Sequence, residues 1–122
     1  KGSDGSTFGG YPLACVAGTA ALKVFEEEKL AEQSAKKGKI LKKRIEAIAK
    51  KSPHVKEVRG KGLFIGIEVK ENNAMEFCRK LLKLGLIVND SHGHTIRISP
   101  PLIINEEEMD FMVKQLEKVL VD

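Results

Sequence analysis

Val58-Arg59-Gly60-Lys61-Gly62-Leu63-Phe64-Ile65-Gly66-Ile67-Glu68-Val69 is the stretch that decides the fold. Leu63, Ile65, Ile67 and Val69 alternate with Phe64, Gly66 and Glu68, which places the aliphatic set on one face of a sheet. The strand reading runs from Val55 to Val69 and is broken at Gly60-Lys61-Gly62, where the glycines suit a bulge or a sharp bend. Arg59 and Lys61 make the same turn cationic, but the bend alone accounts for the glycines.

Outward from this stretch the chain turns helical on both sides. Upstream, Ser34, Gly38, Leu41, Ile45 and Ile48 recur at helical spacing between about Leu30 and Lys50, with lysines on the remaining positions, and Ser52-Pro53 ends that helix. Before it, Pro12 fits a first helical turn and Leu13 to Phe25 is apolar at nearly every position. Such a helix is expected to be buried on most sides and needs more protein around it than the chain obviously supplies.

Downstream, Ala74 to Leu84 predicts a helix with Met75, Cys78, Leu81 and Leu82 as its inner stripe and Gly85 at its C-terminal cap. Two short strands are expected at Leu86 to Val88 and Thr95 to Ser99, separated by the polar loop Asn89 to His94 and stopped by Pro100-Pro101. Asn105 as N-cap with Glu108 three residues on starts a last helix, with Ile104 placed to pack on Met109 and with Met112, Val113, Leu116 and Leu120 facing inward. Elements in this order give an α+β layer preceded by two helices.

Composition narrows the class. A chain of 122 residues, 42% hydrophobic and 31% charged, has the profile of one globular domain. Its apolar runs are shorter than a membrane span. The net charge of +4 comes from lysines mixed among glutamates, and five Phe, one Tyr and no Trp offer few stacking platforms, so neither nucleic acid nor a membrane is expected as a partner. Cys15 and Cys78 lie in apolar helical patterns and read as reduced core residues, in keeping with a cytosol-like, cytoplasmic setting. The chain begins at Lys1 without an initiator Met and reads as a fragment whose start reports nothing on targeting.

Few residues carry recognisable chemistry. Gly5-Ser6-Thr7-Phe8-Gly9-Gly10 places two hydroxyls and flexible amides before a helix N-terminus, where an anion can sit, although it lacks the ending of a Walker loop. Arg97, in Thr95-Ile96-Arg97-Ile98-Ser99, must face away from the two isoleucines, and a guanidinium held on a strand can pair with a carboxylate. An ordinary exposed strand arginine satisfies the same pattern. His92, His94 and Asp90 do not complete a metal site, and no nucleophile-and-base pattern is present.

Three ordered blocks, however, resemble the class III aminotransferases that depend on pyridoxal 5'-phosphate (PLP). Gly5-Ser6-Thr7-Phe8-Gly9-Gly10-Tyr11-Pro12-Leu13-Ala14 is the first, Val58-Arg59-Gly60-Lys61-Gly62-Leu63 the second, and Ile96-Arg97-Ile98-Ser99-Pro100-Pro101-Leu102 the third. Within the family, Ser91-His92-Gly93-His94 is most similar to the ornithine aminotransferases. Acetylornithine or other ω-amino acid aminotransferases remain the alternative, and so does a non-catalytic binding or assembly module.

The resemblance implies the C-terminal portion of a fold-type I PLP transferase. Residues 1–28 would be a phosphate-loop and buried interdomain helix, and residues 29–122 a small domain with a mostly antiparallel sheet. It further implies transfer of the δ-amino group of ornithine to 2-oxoglutarate, a homodimer with a shared active site, Ser6 and Thr7 reaching the PLP phosphate of the neighbouring subunit, and Arg97 binding a substrate carboxylate. No catalytic residue and no metal is expected in this chain, because the lysine that anchors the cofactor belongs to the family's upstream domain. Asp4 and Tyr11 depart from the pattern, standing where the family has His and Asn.

Overall fold

The computed structural model describes residues 5–121. The chain divides into two compact units, Lys1–Leu30 and Ala31–Asp122.

The first unit is built on α1 (Pro12–Glu27), which starts with Pro12 at its first turn. The sequence expectation of a helix buried on most sides is not met: no residue of α1 is buried, and Leu13, Val16 and Leu22 are 69%, 67% and 68% exposed. Cys15, expected in a core, is exposed as well. The reason is packing supply, since an apolar helix is buried only when other surface lies against it, and within the first unit the described residues place none there.

The second unit has the α+β architecture expected. It contains α2 (Leu30–Ala49), β1 (Val55–Lys61), β2 (Phe64–Val69), α3 (Ala74–Lys83), β3 (Asn89–Ser91), β4 (Thr95–Ile98) and α4 (Glu106–Leu120). The four strands form one sheet in the order β1-β2-β4-β3 with every neighbouring pair antiparallel. One face carries Ile65, Ile67, Val69, Ile96 and Ile98, all at most 2% exposed. Leu41, Ile45 and Ile48 of α2, Phe77 and Leu81 of α3, and Met109, Met112, Leu116 and Leu120 of α4 complete that core. Each such side chain contributes roughly 1.5–3 kcal/mol by leaving water.

Local contacts fix how these elements meet. A Cβ on Gly38 would lie 2.1 Å from the Gly62 carbonyl oxygen, so α2 approaches the β1–β2 turn backbone to backbone. Beside it, the Leu63 amide donates to Ser34 Oγ at 3.2 Å. After α2, the buried Ser52 hydroxyl donates to the Leu120 carbonyl and accepts the amides of His54 and Val55 at 3.2 Å each, tying the end of α4 to the start of β1. Helix α4 opens with the expected capping box: Asn105 Oδ1 accepts from the Glu108 amide, and Glu108 Oε2 from the Asn105 amide, both at 2.9 Å.

Two expectations fail here. Met75 and Leu82 are 45% and 56% exposed, and the inner stripe of α3 is Ala74, Phe77, Cys78 and Leu81. Both stripes have helical spacing; the one carrying the bulky Phe77 ring goes inward. The strand expected at Leu86–Val88 instead forms at Asn89–Ser91, inside the supposed loop, because a tight turn with left-handed φ at His92 (56°) and Gly93 (78°) folds these residues onto β4. Leu86 and Val88 pack against the core from irregular chain, while Ile87 is 81% exposed.

Candidate functional site

Residues opposite one another across antiparallel strands share a face, so the sheet's register defines its outer surface. Arg59 of β1 pairs with Gly66 of β2, Gly66 with Arg97 of β4, and Arg97 with Asn89 of β3. Alongside runs a second row: Glu57, Glu68, Thr95 and Ser91. Arg97 is therefore presented outward by the inward commitment of Ile96 and Ile98, as its sequence context predicts.

The two arginines of this face differ in what they touch. Arg59 Nη1 donates to Glu68 Oε2, and its Nη2 donates to Thr95 Oγ1 at 3.2 Å. Glu68 also accepts from Lys56 Nζ at 2.6 Å. The hydrogen bonds from Lys56 and then Arg59 hold the Glu68 carboxyl below the usual carboxylate range, and the bond to Glu68 raises the Lys56 ammonium. The Arg97 side chain makes no hydrogen bond or ion pair among the described residues.

Arg97 opens onto two clefts. One, about 340 Å³, lies over Gly66 and is lined by Arg59, Phe64, Ser91 and Thr95. The other, also about 340 Å³, runs towards α4 over Ile98, Pro100, Ile104 and Phe111. An unpaired guanidinium carried on a strand beside an apolar wall is an arrangement that can bind a carboxylate with an aliphatic chain attached.

The neighbouring histidines are held by hydroxyls. His92 Nδ1 lies 2.9 Å from Ser91 Oγ and His94 Nδ1 lies 3.1 Å from Thr95 Oγ1. No group of three His, Cys, Asp or Glu able to hold a metal occurs among the described residues. Nor, among them, is any helix long and apolar enough to cross a membrane.

Ser6 and Thr7 belong to the first unit. Thr7 to Gly10 form a turn in which the Gly9 amide donates to the Ser6 carbonyl at 3.3 Å and the Tyr11 amide to the Phe8 carbonyl at 3.1 Å. Both Ser6 and Thr7 are exposed, and neither hydroxyl has a hydrogen bond among the described residues. Tyr11 supplies no side-chain cap to α1, Pro12 has no N–H, and the first turn contains no acid. Among the described residues, the first turn of α1 thus has amides without a side-chain cap and the preceding loop has two hydroxyls without a hydrogen bond, groups of the kind that bind an anion. Asp4, the departure nearest this loop, lies outside the described residues.

Sequence reasoning missed Glu68 as a partner of this face. Its only signal was alternation, which puts Glu68 outward with Gly66; the hairpin register that delivers it to Arg59 cannot be read from one strand.

Comparison with known proteins agrees with the three blocks. The family model for aminotransferase class-III matches residues 1–120. The chain is 47% identical over 119 residues to the ornithine aminotransferase of Bacillus subtilis (strain 168), covering 98% of this chain and 29% of that protein. Against the ornithine aminotransferase of Bacillus cereus (strain Q1) the identity is 48%, with the same coverage of 98% and 29%. Among solved structures, the acetylornithine aminotransferase from Elizabethkingia anophelis superposes with a TM-score of 0.88 at 40% identity, over 99% of this chain and 33% of that one. The ornithine delta-aminotransferase of Plasmodium falciparum gives a TM-score of 0.87 at 40% identity, over 98% and 32%. The chain thus spans 29% of the length of the curated relatives it matches. With its strand-borne Arg97, its hydroxyl loop before α1 and a family match from end to end, it belongs to the class-III aminotransferases.

Proposed function

We propose that this chain is the C-terminal portion of a PLP-dependent ornithine aminotransferase that moves the δ-amino group of ornithine to 2-oxoglutarate, giving glutamate 5-semialdehyde and glutamate. The unpaired Arg97, outward on a rigid sheet beside an apolar cleft, is the observation that carries this reading, and the names of its curated relatives support the donor.

In this reading, residues 1–28 are a phosphate-loop and interdomain helix segment and residues 29–122 the small domain. Arg97 donates to a substrate carboxylate and orients the substrate's chain along the cleft wall. Ser6 and Thr7 donate their hydroxyl protons to the cofactor phosphate bound by the neighbouring subunit, making the active protein a cytoplasmic homodimer with a shared site. PLP, when bound, supplies the electron sink for the amino transfer. No lysine here anchors it, so the chain by itself is inactive.

In the parent enzyme, Arg97→Ala should raise the Michaelis constants of the carboxylate substrates by about ten- to a hundredfold while PLP absorbance persists, the loss of a charge-assisted contact. Unchanged constants would remove the clamp. Transamination by the purified chain, supplied with ornithine, 2-oxoglutarate and PLP, would refute its dependence on an upstream lysine.

A second reading, an acetylornithine aminotransferase, is favoured by the solved structure with a TM-score of 0.88. Relative rates of the parent enzyme on ornithine and N-acetylornithine decide between them.

A further inference from the structure

We propose that Asn89 is a second substrate-binding residue of the Arg97 site: its side-chain amide donates to the carboxylate that Arg97 holds, and its neutrality leaves that guanidinium unpaired to receive it. The proposal rests on the reading of Arg97 as a carboxylate clamp and names the residue that completes the clamp.

The neighbours of the two arginines on the outer face explain why one is paired and the other is not. Their cross-strand row runs Arg59, Gly66, Arg97, Asn89. Glu68 stands in the next row, opposite Glu57 and Thr95 and diagonal to both arginines, and its carboxylate goes to Arg59 and Lys56. The direct neighbours of Arg97, Gly66 and Asn89, carry no charge. Residues directly opposite on antiparallel strands have Cα atoms about 4.5–5.5 Å apart, so an acid at position 89 would meet Arg97 at the shortest distance the sheet allows. An amide there leaves the guanidinium its full charge.

Asn89 is itself placed to bind. It is exposed at the start of β3, and its side chain makes no hydrogen bond among the described residues. Next to it, Asp90 Oδ2 accepts the Gly93 amide at 3.2 Å, which braces the β3–β4 turn and the short strand that carries Asn89. Asn89 and Arg97 line the same cleft of about 340 Å³. Glu108, the acid of that cleft, accepts the Asn105 amide at 2.9 Å, and Ser99 lies past the end of β4 without a cross-strand partner. A carboxylate offers about four lone-pair directions, of which a guanidinium fork takes two. Asn89 Nδ2 is the donor for one of the others.

The test is calorimetric titration of the parent holoenzyme with glutarate, which has the two carboxylates of 2-oxoglutarate and no carbonyl to react. Asn89→Ala is expected to weaken glutarate about five- to tenfold, the loss of one hydrogen bond to a charged group at a wet site. Asn89→Asp, of the same size, should weaken it about fiftyfold, because the new carboxylate pairs with Arg97 and repels the ligand. The Michaelis constant for 2-oxoglutarate should rise in the same order while kcat holds. An unchanged thermal unfolding midpoint checks the fold of each variant.

Glutarate binding at the wild-type level in Asn89→Ala would remove the donor and overturn the proposal. Asn89→Asp binding no more weakly than Asn89→Ala would overturn the part played by neutrality. If Arg97→Ala left glutarate at wild-type affinity, the clamp reading would fall and this one with it, whereas a loss at Arg97 with none at Asn89 sinks this proposal alone.

Discussion

Helices α1 and α4 are nearly equal in length, at 16 and 15 residues, and opposite in what they can do alone. The first is apolar from Leu13 to Phe25 apart from Thr19, Lys23 and its glycine, lacks a side-chain cap and an acid in its first turn, and buries nothing. The second is half charged, has a full capping box with Glu106, Glu107 and Glu108 in its first turn, and buries Met109, Met112, Gln115, Leu116 and Leu120. Apolarity states a demand for cover; only a matching surface meets it. Helix α4 carries its start signal and finds its surface within its own unit, whereas α1, within its unit, carries the demand alone.

The largest test of this contrast is truncation of one aliphatic side chain in each setting. Ile67→Ala, at a side chain with no exposure, should cost about 3 kcal/mol in urea unfolding of the chain, while Leu22→Ala, at 68% exposure, should stay within about 0.5 kcal/mol. Equal losses would show that α1 is covered in solution.

Glycine gives a sharper version. Gly38→Ala puts a methyl group 2.1 Å from the Gly62 carbonyl oxygen and should destabilise by about 2 kcal/mol. Gly18→Ala in α1, with nothing within 4 Å, should instead raise helix content in circular dichroism and add roughly 0.5–1 kcal/mol to that helix. A loss at Gly18 would break the comparison.

The smallest effect concerns acid. Glu68 titrates below its ordinary range in the folded chain, so its contribution is present above the unfolded carboxylate pKa and is lost as pH falls through the lowered folded value. Glu68→Gln should therefore lower stability slightly at neutral pH and converge with the unsubstituted chain as pH falls, which flattens the acid limb of the stability profile. An identical limb in both proteins would deny Glu68 this role.

How far these features were legible in the sequence follows from the range of the interactions involved. Ile65, Ile67 and Val69 were readable because a period of two needs only neighbours along the chain, and Asn105 with Glu108 because a cap is local. Strand β3 was not, because Asn89, Asp90 and Ser91 are polar and become strand only through register with β4. Met75 was misplaced because two helical stripes competed and a distant surface chose the one with Phe77. At the site, Arg97 was legible from alternation with Ile96 and Ile98. Ser6 and Thr7 gained a role only from the family resemblance, and the coupling of Arg59 to Glu68 required the hairpin.

The strand order also bears on aggregation. β1 and β3 are the sheet's edges. The first carries Lys56, Glu57, Arg59 and Lys61 with an irregularity between Val55 and Glu57, and the second is three residues long. Charged, interrupted and short edges are poor templates for a further strand. Free copies of this chain should therefore resist amyloid-like stacking through the sheet, and any clumping during expression should begin at the greasy flank of α1, where a soluble fusion partner or a detergent would be the effective remedy.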